Sequence, residues 1–505
     1  MKIRILATSD VHGMVMPYRY SDLKPCNHGF LKLEGVIRKY RNEHTILIDN
    51  GDILEGSPLL SYYYKHDDGY KDHLMCELIN EMRYDFVNIG NHDLNYGIKV
   101  LNKYLDHIDA RCINGNLLYS GKSIGNQITV KEIDGVRIAI VGAVTHYLTN
   151  WEKEINLKGI DVMDAFEYMS KTVRMIKDNH LADVIIGVYH GGFERDLETG
   201  ELTEDDTGEN QAYRMVKEIE GLDILITGHQ HRSIATKCFN TYVTQTAYNA
   251  SEIAFIEFDT DTKEADVRLL NADSDDYHIS SRISDIEEKT EKWLDETVGE
   301  VIDADLKVND EINARIHKHP VITFINKVTL DASGADLAGN ALFNGAVGFN
   351  KSITMRDIVS TYIYPNTIVV YEVNGRILKE YLEKSAEYFA IKDEKIDVDE
   401  SYIYPKPQHY NYDMVDGIDY TIKVSNPKGH RITEIKYHGK SVEDEDIFTL
   451  ALSNYRSGGG GNFFMFKGCK KVKDIQTDMV TLISEYLLRE KKVTLNHYEN
   501  IKVIK

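Results

Sequence analysis

The first half of the chain repeats one pattern: an apolar segment, a short polar loop, and a segment with apolar residues at helical spacing. Ile3 to Thr8 is the first apolar segment, and Thr45 to Ile48 is the second. Strands that alternate with helices predict an α/β sandwich with a largely parallel core sheet. In such sheets the functional crevice lies at the carboxyl ends of the strands, so the strand ends are where chemistry is expected.

Five predicted strands end in acidic, imidazole or amide side chains. The residues concerned are Asp10, His12, Asp52, Asn91, His92, His190, His229 and His231. Each has a simpler explanation alone: Asn-His-Asp can be turn chemistry, a lone His is often a core residue, and Asp often caps a helix. The recurrence at five strand ends favours one shared site.

The side chains at these strand ends suit divalent metals. Asp10 and His12 are two residues apart, as are His229 and His231, so each pair shares one face of an extended segment. Seven oxygen and nitrogen donors predict two divalent ions, with one carboxylate bridging. The donor types accept Mn, Zn, Fe or Co. The metal ligands expected are Asp10, His12, Asp52, Asn91, His190, His229 and His231.

Two metals about 3.5–4 Å apart suit hydrolysis of a phosphate ester, because they activate a water and neutralise transition-state charge. His92 is expected to be a catalytic residue outside the ligand set, which stabilises the transition state or protonates the leaving oxygen. Asp93 either orients His92 or is a carboxylate behind the site that caps the loop, and the second interpretation is favoured. His92, Asp93 and Asn95 are the catalytic candidates.

Composition limits the class of protein. The 505 residues carry a net charge of -22, which argues against binding a nucleic-acid polymer and leaves a small anionic substrate open. The five cysteines form no CxxC and fit reduced thiols. No apolar run approaches the ~18 residues that cross a bilayer. We expect a cytoplasmic protein without membrane contact, unless a leader was removed; the oligomeric state is open.

The expected domain organisation is a first domain over 1–278, a linker helix within 279–309 and a second domain over 310–505. Ile283, Ile286, Trp293 and Leu294 mark one face of the charged linker helix. The second domain is mixed α and β, with helices predicted over Arg376 to Phe389 and Asp474 to Lys491. Strands are predicted between them, followed by a glycine loop over Ser457 to Asn462.

The strand-end motifs Asp10-Val11-His12, Gly51-Asp52, Gly90-Asn91-His92-Asp93 and Gly228-His229-Gln230-His231, together with His190, resemble the calcineurin-like metallophosphoesterases. The second half resembles the C-terminal substrate domain of the 5'-nucleotidase family. The matching pieces are Tyr364-Pro365-Asn366-Thr367, Val373-Asn374-Gly375, Pro427 to Ile432 and Asn454 to Gly460. The resemblance implies a four-layer α/β/β/α sandwich followed by a smaller mixed α/β domain.

The resemblance also implies roles for individual residues. Asp10, His12, Asp52 and His231 would hold the first metal, and Asp52 (bridging), Asn91, His190 and His229 the second. The family's second domain clamps a nucleobase between two aromatic rings, here Tyr412 and Phe463, with packing as the alternative for both and Tyr455 as a rival to Phe463. The substrate-binding candidates are Tyr412, Phe463, Asn454, Asn344 and Arg456.

Two departures from the motifs of typical 5'-nucleotidases indicate which branch of the family this chain resembles. Typical 5'-nucleotidases carry an Asp three residues after the catalytic His, where this chain has Asn95, so a charged dyad is in doubt. Their Gly-Gly-Ile-Arg loop corresponds here to Asn340 to Gly345, which lacks arginine. Both features are similar to the 2',3'-cyclic-nucleotide 2'-phosphodiesterase/3'-nucleotidase branch, which is therefore the favoured function.

The alternatives are a 5'-nucleotidase or nucleotide-sugar hydrolase, a non-catalytic nucleotide-binding or surface-interaction protein, and a structural metalloprotein with closed coordination. A small nucleotide is the expected ligand. No ligand position of the family's set is lost, which favours an enzyme of nucleotide catabolism over the non-catalytic interpretations.

Overall fold

A computed structural model describes residues 1–66, 69–203, 206–364, 366–475 and 477–505. The chain forms two compact units, Met1–Thr290 and Glu291–Lys505. The helix Ser281–Leu294, predicted from its apolar face, runs across the boundary between them. The predicted motif at Tyr364 to Thr367 includes Pro365, which lies outside the described residues.

Two six-stranded sheets form the centre of the first unit. The first sheet has the order Ala265–Asn271, Glu252–Asp259, Lys2–Thr8, Thr45–Asp49, Phe86–Val87 and Arg111–Cys112, with its last four strands parallel. The second has the order Ile234–Cys238, Thr241–Gln245, Ile224–Thr227, Val184–His190, Val136–Val144 and Thr129–Ile133, with the middle four parallel. The predicted alternation of strands and helices is thus confirmed.

The two sheets pack face to face and helices cover their outer faces. Ile3, Ile5 and Ala7 of the first sheet share one apolar core with Ile186 and Val188 of the second. Strands buried on both faces are apolar almost throughout, as expected of parallel sheets covered on each side. Burial of each Ile side chain stabilises the fold by about 1.5–3 kcal/mol relative to an exposed side chain. The predicted four-layer α/β/β/α arrangement is confirmed.

The helices of the first unit follow the predicted apolar periodicity. Tyr40 packs edge-on against Phe255, which places the first helix on the outer face of the first sheet. On the other side, Met169 and Val173 of a long helix pack into the core behind the second sheet. The helices are Phe30–Tyr40, Pro58–Lys65, Leu74–Glu81, Ile98–Leu105, Ala165–Asp178 and Ala212–Glu218, with 3-10 turns at His92–Leu94 and His146–Asn150. Leu117–Tyr119, Lys122–Ser123 and Ile160–Val162 form a small sheet.

Buried asparagines tie the two sheets together at their carboxyl edge. Asn88 donates from Nδ2 to Asn50 Oδ1 (3.0 Å) and to the carbonyl oxygen of Ala143 (2.9 Å) in the second sheet. Asn114 donates to Asn88 Oδ1 (2.9 Å). Because the Asn88 side chain turns to these partners, the strand that precedes it is limited to Phe86–Val87. This network fixes the edge from which the strand-end residues project.

A mixed five-stranded sheet is the centre of the second unit. Its order is Asp413–Asp416, Leu337–Ala341, Ile447–Ser453, Ile368–Asn374 and Lys470–Ile475. A four-stranded sheet has the order Lys440–Ser441, Ile432–Tyr437, Asp419–Lys423 and Ile501–Ile504, and a three-stranded one Ser352–Thr354, Thr297–Val301 and Lys492–Val493. The strand pairs are Leu306–Lys307 with Gly348–Phe349 and Phe389–Lys392 with Lys395–Val398.

Helices pack around these sheets. They are Glu311–Ile316, Pro320–Ser333, Met355–Thr361, Gly375–Ala386, Asn454–Ser457 and Met479–Glu490, with 3-10 turns at Glu400–Tyr402, His409–Asn411 and Phe464–Phe466. The last long helix starts later than predicted, because Lys470–Ile475 pairs as an edge strand and Asp478 caps the helix. Among the described residues, none of the helices combines the length and apolar character needed to cross a membrane.

Candidate active site

Tight turns after the strands bring the predicted metal ligands to one edge of the first unit. Five of these residues adopt the left-handed backbone region, with φ between 51° and 69°: Asp10, His12, Asp52, His229 and His231. Such conformations are unfavourable for residues other than glycine, and they cluster at functional sites when the surrounding fold enforces them. The strain is the cost of turning five polar side chains to the same point.

Two glycines allow the loops to meet. Gly51 has φ of +91°, and a Cβ there would lie 2.2 Å from the backbone nitrogen of Gly90. A Cβ on Gly90 would lie 2.2 Å from Asp52 Oδ1. The two loops therefore touch through their backbones, which holds Asp52 and Asn91 side by side.

The carboxylates and imidazoles converge in two overlapping groups. Asp10, His12 and His231 form one, and Asp10, Asp52 and His190 form the other, with one ligand atom of each residue within 4.8 Å of the rest of its group. Asp10 Oδ1 lies 3.3 Å from His231 Nε2, and Asp52 Oδ2 lies 3.1 Å from His190 Nε2. Asp10 is common to both groups, whereas the resemblance implies Asp52 as the bridge; that assignment stays a prediction.

The imidazole of His190 is oriented so that its Nε2 atom can bind a metal. Its Nδ1 donates to the carbonyl oxygen of Asn50 (2.7 Å), which leaves Nε2 for another partner. Nε2 is buried without a hydrogen-bond partner among the described residues, and it faces two carboxylates. Burial lowers the pKa of His190, but Asp52 and Asp10 raise it further, to about 10. Two carboxylates thus face this buried imidazole, and such a set of donors suits a divalent cation.

The ring of His12 is held like that of His190, through a contact of its Nδ1 atom with a backbone carbonyl oxygen. Its Nδ1 lies 3.3 Å from the carbonyl oxygen of Glu55, and its Nε2 lies 3.1 Å from His231 Nε2. Burial lowers the pKa of His12, whereas Glu55, Asp52 and Asp10 raise it to about 9. Metal-bound histidines commonly donate their other ring nitrogen to a carbonyl or carboxylate in this way.

The remaining ligand candidates complete the donor set. Asn91 Oδ1 lies 2.9 Å from His229 Nδ1, and His229 Nε2 lies 2.9 Å from Glu209 Oε1. The hard oxygen and imidazole donors of this set fit two divalent ions of the Mn, Zn, Fe or Co type. All seven predicted ligands therefore lie at one edge of the first unit, and their assignment to individual ions stays a prediction.

Asp93 anchors the loop that carries Asp52. Its carboxylate, 3% exposed, accepts hydrogen bonds from the backbone N–H groups of Gly90 (2.8 Å), Asp52 (2.9 Å), Ile53 (2.9 Å) and Leu54 (3.0 Å). These contacts match the favoured interpretation of Asp93 as a capping carboxylate. Its oxygens are directed to the backbone of the loop, and the catalytic role expected of Asp93 stays a prediction.

His92 lies beside the ligand cluster and contacts Asn95. The Nδ1 atom of His92 lies 2.8 Å from Asn95 Oδ1, and the His92 side chain is 29% exposed. The backbone N–H of His92 donates to Asp52 Oδ1 (2.7 Å), which holds the residue against a metal ligand. A neutral amide thus contacts His92 at the position of the dyad carboxylate, and the catalytic roles of His92 and Asn95 stay predictions.

Sequence analysis missed several residues around this edge. The carboxylate of Glu55 is buried between His12 and His92, 3.8 Å and 3.7 Å from their Nδ1 atoms. Trp151 stacks on the His229 ring (centroids 5.4 Å apart), and Tyr248, 51% exposed, stacks on the His231 ring (5.0 Å). Glu55 follows Asp52 by three residues, which is a usable signal; the two aromatic residues gave none.

The aromatic candidates of the second unit are packed inside it. Tyr412 has no exposed surface and stacks on Tyr388, with centroids 4.9 Å apart and an interplanar angle of 15°. Phe463 is equally buried, packs edge-on against Tyr381 (5.6 Å) and lies under the Arg456 guanidinium (3.9 Å). This is the packing alternative of the sequence analysis, and base stacking by either ring stays a prediction.

The polar substrate-binding candidates also make internal contacts. Arg456, 2% exposed, donates to both carboxylate oxygens of Asp413 (2.7 and 3.1 Å). Asn454 Oδ1 accepts from the backbone N–H of Thr367 (2.9 Å). Asn344 donates to the carbonyl oxygen of Pro407 (2.8 Å), and its buried Oδ1 has no hydrogen-bond partner among the described residues. These three residues hold loops together, and their contact with substrate stays a prediction.

A guanidinium supports the loop that lacks the family's arginine. Arg315, 1% exposed, donates from Nη2 to the carbonyl oxygens of Leu342 (2.9 Å) and Phe343 (3.3 Å).

The half-buried rings of Tyr410 and Tyr455 lie near each other (centroids 6.2 Å). Tyr455, named as a rival to Phe463, is therefore more accessible than the predicted ring.

A two-sheet sandwich with an Asp, His and Asn cluster at its carboxyl edge defines a dinuclear-metal phosphoesterase. Comparison with known families agrees: residues 3–233 match the calcineurin-like phosphoesterases, and residues 298–468 match the 5'-nucleotidase C-terminal domain. The chain belongs to this family of two-domain hydrolases, which act on phosphate esters with two divalent metals.

Individual relatives extend along the whole chain. A Staphylococcus aureus protein described as a candidate 5'-nucleotidase, solved with alpha-ketoglutarate, is 32% identical with a TM-score of 0.94, covering 100% of both chains. The 2',3'-cyclic-nucleotide 2'-phosphodiesterase/3'-nucleotidase of Haemophilus influenzae is 25% identical over 96% of this chain and 85% of its own length. The trifunctional nucleotide phosphoesterase YfkN of Bacillus subtilis is 25% identical over 97% of this chain, which spans 38% of YfkN.

Proposed function

We propose that this chain hydrolyses phosphate esters of nucleotides, with 2',3'-cyclic nucleotides and 3'-nucleotides as its favoured substrates. The observation that carries the proposal is the convergence of Asp10, Asp52 and His190 with His92 at one edge. The relatives from Haemophilus influenzae, Salmonella typhimurium and Yersinia enterocolitica named for this activity are 25–26% identical over 91–96% of the chain.

The roles of the chain's residues follow from the donor set. Asp10, His12, Asp52, Asn91, His190, His229 and His231 hold two divalent ions, which supply an activated water and neutralise phosphoryl charge when bound. His92 holds a proton at its ring and delivers it to the leaving ribose oxygen. In the cyclic substrate this oxygen belongs to the 2' position, so ring opening yields the 3'-monophosphate, which is the second substrate.

The second unit supplies recognition of the nucleoside in this proposal. The candidates are Tyr412, Phe463, Asn454, Asn344 and Arg456, with Tyr455 as the more accessible aromatic ring. Stacking of a base on one ring is worth about 1–3 kcal/mol. A small nucleotide suits the net charge of -22 better than a nucleic-acid polymer, whose many phosphates would be repelled.

The second candidate function is hydrolysis of 5'-nucleotides. It is favoured by the Staphylococcus aureus relative, described as a candidate 5'-nucleotidase, which is 32% identical and covers 100% of both chains. Against it stand Asn95 at the dyad position and the Asn340 to Gly345 loop without arginine. A non-catalytic nucleotide-binding protein is the alternative of another class.

The test is release of phosphate and nucleoside by the purified full-length chain loaded with Mn, with a chelator-treated sample as the control. The substrates are 2',3'-cyclic AMP, 3'-AMP, 5'-AMP and a nucleotide sugar. We expect cleavage of the cyclic ester and of 3'-AMP, abolished by the chelator. A preference for 5'-AMP would replace the favoured substrates by the second candidate, and no turnover with metal bound would favour the non-catalytic protein.

The cytoplasmic location expected from the sequence stays a prediction. All five cysteines are free thiols in the structure, which fits a reducing compartment. Fractionation of the source cells, followed by detection of the protein in each fraction, tests the location directly.

A further inference from the structure

The ring of His92 has an amide partner that is itself held by a carboxylate. Asn95 Oδ1 lies 2.8 Å from His92 Nδ1, and Asn95 donates from Nδ2 to Glu152 Oε2 at 2.6 Å. The nearer carboxylate in sequence, Glu55, lies 3.7 Å from the same Nδ1, outside hydrogen-bond distance. The three side chains therefore form one chain of contacts, from Glu152 through Asn95 to His92.

The chemistry of the groups fixes the direction of these hydrogen bonds. An ionised carboxylate only accepts, so the atom of Asn95 that faces Glu152 is the NH2 group. The other end of the amide is then its carbonyl oxygen, which accepts from His92 and requires a hydrogen on Nδ1. Nε2 is left as the ring atom that can exchange a proton with a substrate. Glu152 thereby determines which ring nitrogen of His92 is available.

Glu152 is itself held in place. Its Oε1 accepts from Asn156 Nδ2 (2.8 Å) and from the backbone N–H of Lys153 (2.7 Å), which leaves Oε2 for Asn95. Asn156 also donates to the backbone carbonyl oxygen of Asn95 (2.9 Å). Each oxygen of Glu152 is thus assigned, and the loop after the strand Val136–Val144 is tied to the loop of His92 at two points.

We propose that Glu152 is a positioning residue of the active site, which orients the Asn95 amide and, through it, fixes the hydrogen on His92 Nδ1. The inference deepens the proposed function and rests on it, because it concerns how His92 acts on the leaving oxygen. It explains how this chain positions its catalytic histidine without the carboxylate that typical 5'-nucleotidases have at residue 95. A carboxylate 57 residues away takes over the orientation.

Glu152→Gln is the first test, since it preserves size while Asn156 Nδ2 and the Lys153 N–H hold its carbonyl oxygen, so that its NH2 group faces the Asn95 NH2 group. For substrates with an alkoxide leaving group, such as 2',3'-cyclic AMP or β-glycerophosphate, we expect kcat to fall about tenfold or more with KM within about twofold. For p-nitrophenyl phosphate, whose leaving group needs no proton, we expect less than about threefold loss. Glu154→Gln, an exposed glutamate two residues away, is the matched control and should match the wild type.

A paired swap separates orientation from general damage. Asn95→Asp alone brings two carboxylates to the 2.6 Å contact and should lower kcat on alkoxide substrates about tenfold or more. Combining it with Glu152→Gln restores a donor and an acceptor in reversed order, so the double variant should regain activity to within about threefold of the wild type. Such non-additivity is expected of residues that contact each other or share one hydrogen-bond network.

Three results would overturn the proposal: a Glu152→Gln variant that matches Glu154→Gln, equal losses for the aryl and alkoxide esters, or a double variant whose loss is the product of the single losses. The comparison with β-glycerophosphate does not depend on nucleotide recognition, so failure of the proposed substrate class is recognised separately. For a chain without turnover, nitrogen-15 NMR of the His92 ring, assigned with His92→Gln, decides: the hydrogen on Nδ1 should be observed in the wild type and lost or weakened in Glu152→Gln.

Discussion

The two units differ in how their predicted functional residues are placed. At the edge of the first unit, one ligand atom of each of the predicted ligands Asp10, Asp52 and His190 lies within 4.8 Å of the other two. In the second unit, the predicted base clamp of Tyr412 and Phe463 is packed within the domain without exposed surface. The fold therefore brings the predicted strand-end residues together, whereas it packs the two predicted aromatic rings inside their domain.

The difference has a physical origin. A buried carboxylate or imidazole is costly unless it is paired or binds a metal, so polar residues after buried strands have few alternatives. A tyrosine or phenylalanine gains free energy by packing, whether or not it also binds a ligand. The following predictions test whether this contrast between the two units holds in solution, starting with the largest effect.

The largest effect is expected for a metal ligand of the first unit. Asp52→Ala removes a carboxylate that faces His190 at 3.1 Å, so kcat/KM should fall by about 10³-fold or more and bound metal should decrease. Turnover and metal content by mass spectrometry measure this, with Asp178→Ala at an exposed helix end as the control. Full metal content and turnover in Asp52→Ala would remove Asp52 from the ligand set.

His92→Ala should separate catalysis from metal binding. His92 contacts Asn95 and its backbone holds Asp52, but its ring is outside both ligand groups. We expect kcat to fall by about 10²–10⁴-fold while the protein keeps its metal. An equal loss of metal and turnover would instead make His92 a ligand or a structural residue.

In the second unit, Tyr412→Ala should act on stability. Removing a fully buried ring stacked on Tyr388 should lower the free energy of unfolding by about 3–5 kcal/mol. Denaturant unfolding measures this, and Tyr455→Ala, at a half-buried ring, is the matched control with a smaller expected loss. If Tyr412→Ala raised KM for nucleotides without destabilising the protein, the ring would bind substrate and the contrast between the units would disappear.

Much of the first unit could be predicted from its sequence, because its strands are buried on both faces and its polar residues recur at their ends. The left-handed backbone of Asp10 and His12 could not, since it depends on loops that meet only in the fold. Glu152 and Glu209 were missed for the same reason: each acts across a distance of 20 or more residues. In the second unit, the helix predicted over Asp474 to Lys491 begins too early, because Lys470–Ile475 pairs as an edge strand with Ile368–Asn374, which is far away in the sequence.

The smallest expected effect is a difference between the histidines of the two units in the protons that they release on metal binding. The raised pKa values of His12 (about 9) and His190 (about 10) mean that both imidazoles are positively charged in the metal-free protein at pH 7.5. Burial lowers the pKa of His319 and His409 in the second unit, which are already neutral there. Metal binding requires neutral imidazoles, so loading should release the protons of His12 and His190 and none from the second unit.

Titration calorimetry with Mn in buffers of different ionisation enthalpy measures this release. The sign for stability follows from the same values: protonated His12 and His190 stabilise the metal-free fold below pH 6.5, and this contribution is lost as pH rises through about 9 to 10. Affinity for metal should rise over the same range, because fewer protons must leave. His319→Gln and His409→Gln should not alter the proton count, whereas His190→Gln should reduce it by about one. If the number of protons released were unchanged in His190→Gln, the protons that the metal displaces would come from other groups. The pH response would then no longer distinguish the two units.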